Sequence, residues 1–340
     1  MTSSTLGWPQ TLGLHAGEWV VVRSCEEILS TLDRRGRLQE LPLQPEMLAF
    51  CGRRLRVAKV AHKTCDNIKK TGGRKMASSV HLEGARCDGA EHGGCMADCV
   101  FFWKEAWLKR IEDTESQPLA NPLIDEEGIR RCAVKGDDAA PLDPTYVCQT
   151  TALYEATSLL PWWDVRQYVQ DVTSGNHGLL HMLRILSFAG YRKLVGLGLG
   201  YRLLLGAYKA VVGKPFPSGS GHIPEGSPTP REDLNLEPGE WVEVKSQDEI
   251  LGTINAEGFN RGMRYDVEMS KYAGNRYRVQ MRVDRLINEQ TGKMMEMKSP
   301  CIQLENVFCR GECTPDRLGC PRASNTYWRE IWLRRVDGPN

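Results

Sequence analysis

The chain has no apolar run able to span a bilayer, because charged residues and glycines interrupt its most apolar stretch. It has no excess of charge either. Lys and Arg number 44 against 43 Asp and Glu, so no global field draws nucleic acid or membrane to it. Its start, MTSSTLGWPQ, lacks the basic and then apolar pattern of a secretory signal, so a cytoplasmic protein is expected. Nucleotide-binding glycine loop, catalytic-triad motif and paired-carboxylate signature are all missing, which argues against the commonest enzyme classes. Wholesale disorder is excluded by 41% hydrophobic residues. What the chain has in plenty is cysteine, twelve in 340 residues. In an unexported protein, clustered cysteines bind metal more often than they form disulfides.

An internal repeat organises the rest. Gly17 to Val57 matches Gly239 to Val279 without a gap over 41 positions, of which 17 are identical. The segments Phe102 to Glu112 and Tyr327 to Asp337 match as well. Each copy opens on a Trp-Val-x-Val alternation that predicts a strand. Ser24-x-x-Glu27 and Ser246-x-x-Glu249 then have capping-box spacing and predict a short helix. A helical turn, a glycine and a second strand follow. The expectation is an α+β protein with two homologous, SH3-like small barrels at 14–113 and 236–338. They flank a mostly helical region at 114–235, edged by the Pro- and Gly-rich segments ESQPLANP and KPFPSGSGHIPEGSPTPRED.

Each copy gathers four cysteines between its second strand and its terminal Trp-x-x-x-Trp segment. They are Cys65, Cys87, Cys95 and Cys99 in the first, and Cys301, Cys309, Cys313 and Cys320 in the second. Cys95 aligns with Cys320, and Cys87 with Cys313 after one gap, whereas positions 65 and 99 align with Ile287 and Ser324. Four thiolates can enclose Zn²⁺ tetrahedrally, or hold an iron–sulfur cluster, and the spacing leaves both open. Two sites are expected, one per copy. The first copy adds His62, His81 and His92, where the second has Asp284, Gln303 and Arg317, so an open or reactive site is expected only in the first. Cys25, Cys51 and Cys132 stand alone.

Nine Lys or Arg and one acid, Asp66, lie between Arg53 and Lys75, a pattern of either a phosphate-binding strip or a solvated face. Val172 to Pro224 contains no Asp or Glu but carries Arg184, Arg192, Lys193, Arg202, Lys209 and Lys214 among Leu, Val and Tyr. Residues 178–214 therefore suit an anionic membrane surface or a partner groove, with Gly196, Gly198 and Gly200 breaking the helix. Nucleic acid is not an expected partner. Cys148, with His177 and His181 nearby in sequence, is a further nucleophile candidate without a surrounding motif.

The order GEWV, EMxxxCGxRxRV, HxTC, HGGCxxxC, YxCQ, WWDxRQY, CPRA and YWREIWL resembles a family of uncharacterised bacterial proteins encoded near glycosyltransferase or secondary-metabolite genes. The resemblance spans nearly the whole chain and implies a biosynthetic setting, with a pathway protein or carrier as partner. It assigns no residue a role. Two function classes follow, a metal-binding accessory protein or a metalloenzyme with its reactive site in the first copy.

Overall fold

A computed structural model describes residues 11–66, 68–112, 121–136, 143–198, 201–314 and 317–338. The segment ESQPLANP and Gly200 fall largely outside these residues. The chain forms two compact units. The first comprises the described residues of Met1–Met182 with Arg285–Met295 and Gly319–Arg322. The second comprises Leu183–Asp284, Glu296–Leu318 and Ala323–Asn340, again over the described residues. The protein is α+β, with several small antiparallel sheets.

In the first unit the strand Trp19–Val22 lies inside a five-stranded sheet, and its Val20 and Val22 alternate inward and are fully buried. It pairs with Arg54–Val60 on one side and Leu108–Arg110 on the other. Arg54–Val60 pairs onward with Ser79–Leu82, which pairs with Trp103–Lys104. The helix Cys25–Leu29 starts as its capping box predicts: Ser24 Oγ accepts from Glu27 N at 3.2 Å, and Glu27 Oε2 accepts from Ser24 N at 2.8 Å. The expected helical turn is the 3-10 helix Pro45–Phe50.

The two edge strands of this sheet, Trp103–Lys104 and Leu108–Arg110, are joined by the 3-10 turn Glu105–Trp107. Four flat interstrand spacings would hold the edges about 19 Å apart, whereas a three-residue 3-10 turn advances about 6 Å. The sheet is therefore curled, although among the described residues no ladder closes it.

The second unit repeats this plan. Trp241–Val244 pairs with Arg276–Arg282 and Leu333–Arg335, and Arg276–Arg282 with Ile302–Leu304. Even the register irregularity recurs, between Val57 and Lys59 in one copy and Val279 and Met281 in the other. The terminal turns are wired alike. Glu105 is buried and accepts backbone N–H bonds from Leu12 and Gly13, and Glu330 does the same for Leu234, Asn235 and Leu236. Trp107 and Trp332 fill the two cores and donate their indole N–H to Thr31 Oγ1 at 3.1 Å and Thr253 Oγ1 at 3.0 Å.

The central region is less helical than its sequence suggests. The stretch from Ala152 to Leu160 forms turns, and Ser158–Leu159 adds as a strand to Gly73–Lys75. Pro161 cannot continue a helix there. The Arg74 guanidinium also takes the Tyr154 carbonyl, which a helix would need for Ser158 N–H, at 2.9 Å, and the Thr157 carbonyl at 2.6 Å. Helices do form over Glu126–Cys132, Arg166–Thr173, Leu179–Gly196 and Tyr201–Val212. Gly198, at φ +73°, lies in the break between the last two, as expected. Among the described residues no helix is long and apolar enough to cross a membrane.

Thr31→Val and Thr253→Val each leave a buried indole N–H unpaired, at a cost of about 1–3 kcal/mol. Urea unfolding should show both losses. The double variant should lose their sum, since the two bonds lie in separate cores.

Candidate metal centre

One cluster stands out among the described residues. A ligand atom from each of Glu46, Cys87 and His92 lies within 4.8 Å of the other two. Glu46 comes from the 3-10 helix Pro45–Phe50. Cys87 follows the strand Ser79–Leu82, and its N–H donates to the Cys99 carbonyl at 2.8 Å. His92 sits on the tight loop that begins at Gly89, where its N–H reaches the Gly89 carbonyl at 3.0 Å. Gly89 has φ +70°, and a Cβ there would lie 2.0 Å from the Cys95 carbonyl oxygen. Only glycine closes that loop.

All three side chains are buried. His92 Nε2 donates to the Val147 carbonyl at 3.1 Å, while Nδ1 faces Glu46 Oε1 at 2.6 Å. Burial acts to raise the Glu46 carboxyl, but the hydrogen bond and charge of His92 outweigh it and hold the group below its ordinary value. Burial acts to lower His92, and the same pairing raises it. The Cys87 thiol is pushed far up, by burial first and then by the Glu46 charge. Gln44 Nε2 donates to its sulfur at 3.4 Å. Glu46 Oε2 is buried without a hydrogen-bond partner, next to a thiol that burial keeps protonated. Such an oxygen is costly to bury unless something completes it.

The donor set fits a borderline divalent ion. A thiolate, an imidazole and a carboxylate are all zinc ligands, and a histidine that binds metal through one nitrogen usually donates its other N–H to a carbonyl, as His92 does to Val147. Glu46 was not among the residues singled out from sequence. Its one signal was its identity with Glu268 across the repeat, which read as a helix residue rather than as a ligand.

The other expected ligands are distributed differently. Cys95 Sγ accepts from Ile287 N at 3.3 Å. Burial acts to lower the Arg322 guanidinium, but Glu289 and the thiols of Cys65, Cys99 and Cys320 outweigh it and hold the group above its ordinary value. These cysteines thus lie about a buried cation, and none joins a three-donor group among the described residues. His81 donates from Nδ1 to the Phe101 carbonyl at 2.8 Å, and burial lowers its pKa to about 4. Cys148 hydrogen-bonds Thr150 Oγ1 at 3.0 Å and lies near enough to Cys87, Cys95 and Cys99 to act on their pKa values. None of the twelve cysteines is in a disulfide, and the lone Cys25 and Cys51 prove to be hydrogen-bonded neighbours.

In the second copy, the counterpart of the cluster is built for a different end. Glu268 spends its carboxylate on the backbone N–H groups of Cys313, at 2.5 Å, and Glu312, at 3.1 Å. Arg317, which aligns with His92 in sequence, pairs with Asp266 at 2.6 Å, with Cys309 Sγ 3.8 Å from its Nη1. A guanidinium has no lone pair to offer a metal. Burial pushes Cys301 and Cys313 up to about 12. The expected second site, with Cys301, Cys309, Cys313 and Cys320 as ligands, is not gathered among the described residues.

His62 belongs to a separate buried network. Lys63 Nζ meets Asp171 Oδ2 at 2.5 Å, and His62 Nε2 lies 3.3 Å from Asp171 Oδ1. Burial pushes Asp171 up to about 6 against the pull of Lys63, and burial with the Lys63 charge lowers His62 to about 4. The basic stretch 53–75 is thereby partly consumed inside the fold, because Lys63 and Arg74 are buried and Lys69 lies 3.8 Å from the Tyr154 ring centre.

Comparison with known proteins finds no matching family model, no similar curated protein and no similar solved structure.

Lys63→Met strands the fully buried Asp171 carboxylate and should cost about 3–5 kcal/mol in denaturant unfolding. Lys63→Met with Asp171→Leu should recover much of that loss, since an apolar pair replaces the ions.

Proposed function

We propose that this chain is a zinc-binding accessory protein whose first unit holds one ion through Glu46, Cys87 and His92. The observation that carries the reading is the buried convergence of three unlike donor groups, one of which, the Glu46 carboxylate, also has an oxygen without a hydrogen-bond partner. The mixed donor set favours zinc over an iron–sulfur cluster, which is held by thiolates. A bound zinc ion would clamp three chain segments together and could act as a Lewis acid at a fourth position. Cys87 supplies the thiolate, Gln44 supports its sulfur, and the Val147 carbonyl keeps the His92 proton on Nε2.

The accessory role rests on the duplicated scaffold. The first unit's curled sheet, with a 3-10 turn between its edge strands, and the matching turn before the edge strand of the second support an SH3-like reading of both modules, a fold used widely for holding partners. The exposed apolar side chains of the helix Tyr201–Val212, with Leu203 81% and Val211 86% accessible, suit a pathway protein or an anionic surface as partner. The biosynthetic setting follows from the family resemblance.

Anaerobically purified protein should contain about one zinc per chain by elemental analysis and show no absorbance near 400 nm, the mark of an iron–sulfur cluster. Cys87→Ser and Glu46→Gln should each abolish stoichiometric zinc, whereas Cys301→Ser should retain it. Metal-free wild-type protein, or equal zinc in all three variants, overturns the reading.

A further inference from the structure

The second unit contains a cavity of about 850 Å³ that belongs to neither the metal cluster nor the buried ion network. Its size falls within the range of small-molecule sites. One wall is the helical segment around Arg192 and Val195 together with Tyr201–Val212. Tyr265 and the end of the helix Gln247–Leu251 line it as well.

The segment Pro215 to His222 lines the cavity and is fixed from both sides. His222 N and Gly221 N donate to the carbonyls of Leu251 and Asn255, each at 2.9 Å. Ser220 Oγ donates to the Ala256 carbonyl at 2.8 Å, and Gln247 Nε2 to the Phe216 carbonyl at 2.9 Å. On the helical side, the Phe216 ring packs against Phe188, Tyr191 and Tyr208 at centroid separations of 5.7, 6.1 and 5.2 Å. Gly221 is required in this lining, because a Cβ there would sit 2.0 Å from the Ile254 carbonyl oxygen. The cavity is therefore a built feature rather than a gap between loosely placed loops.

Its chemistry is two-sided. Val195, Leu205, Phe216 and Leu251 give it an apolar floor. Arg192, Lys209, Arg264 and Arg317 bring four cations to it, against the carboxylates of Glu257 and Asp266. Asp266 is taken by Arg317 at 2.6 Å. Lys209 and Arg264 are exposed and have no ion-pair partner among the described residues. Arg192 spends one N–H on the Pro217 carbonyl at 3.4 Å and keeps the rest of its fork. Three cations therefore face one free carboxylate over an apolar floor.

From this arrangement we infer that the cavity binds an amphiphilic organic phosphate, its head met by Arg192, Lys209 and Arg264 and its apolar body laid against Leu205 and Phe216. Guanidinium and ammonium groups are the usual phosphate binders, and a partly enclosed site strengthens each charge-assisted bond. The same chemistry is offered by a lipid headgroup and by a soluble phosphorylated metabolite.

The test uses the full chain and isothermal titration with monomeric dihexanoyl phosphatidic acid, with dihexanoyl phosphatidylcholine as the zwitterionic comparison. One-to-one binding of the phosphatidic acid is expected, with the phosphatidylcholine at least about tenfold weaker. Arg264→Gln with Lys209→Gln should weaken the phosphatidic acid by about tenfold or more, and Leu205→Trp should block it by filling the floor. Both changes lie on exposed or half-buried positions, and unaltered zinc content and circular dichroism identify folded variants. Vesicles containing phosphatidic acid that displace the short-chain probe identify a bilayer lipid as the source. Failure of vesicles to displace a tightly bound probe identifies a soluble phosphate, and the site stands in either case. No binding, equal affinity for the zwitterion, or affinity unchanged in both variants overturns the inference.

Discussion

Each module depends on a turn of three residues. Glu105–Trp107 joins the two edge strands of the first sheet, and its counterpart Glu330–Trp332 leads into the edge strand Leu333–Arg335 from Trp328, which bridges to Ile302 on the other edge. That short connection forces the sheet to bend, and the bend makes an interior large enough for an indole. The turn then supplies the indole, from Trp107 or Trp332, and a buried glutamate that ties down the chain entering the module. The core, the curvature and the entry point are thus set by the same few side chains.

The Glu46–Cys87–His92 group joins residues distant in sequence. Glu46 and Cys87 are 41 positions apart in sequence, and the fold brings the 3-10 helix Pro45–Phe50 to the segment after the strand Ser79–Leu82. The second copy preserves Glu268 and Cys313 on the equivalent elements, and its difference is confined to what faces them. There the Glu268 carboxylate accepts from the backbone N–H groups of Glu312 and Cys313, and Arg317 pairs with Asp266. One scaffold therefore carries a candidate ligand set in one copy and a polar network in the other, with Asp266 and Arg317 where the first copy has Gln44 and His92.

The parts of this architecture legible in sequence were local or duplicated. The capping boxes at Ser24 and Ser246, the Trp-Val-x-Val strands and the glycine break near Gly198 are short-range patterns, and the structure has them. Cys87 and His92 were recognised as ligand types. Glu46 was not, because a glutamate on a helical turn carries no mark of what it will face across the fold. The grouping of cysteines by sequence proximity failed for a related reason. Cys65, Cys99 and Cys320 gather about Arg322, a residue remote from the first two in sequence. The helical reading of the stretch from Ala152 to Leu160 failed because the Arg74 side chain, eighty positions away, claims its carbonyls.

The membership of the two units has a consequence for how the duplication can be handled by evolution or at the bench. The first unit is completed by Arg285–Met295 and Gly319–Arg322, which belong by sequence to the second copy. A polypeptide ending in the linker near Pro238 would carry one whole repeat yet lack two pieces of its own unit, including the partner of the Cys95 sulfur at Ile287. Tandem copies of most modules can be recombined like beads. Here the later copy has become part of the earlier one's wall, so the pair is inherited, expressed and lost as one.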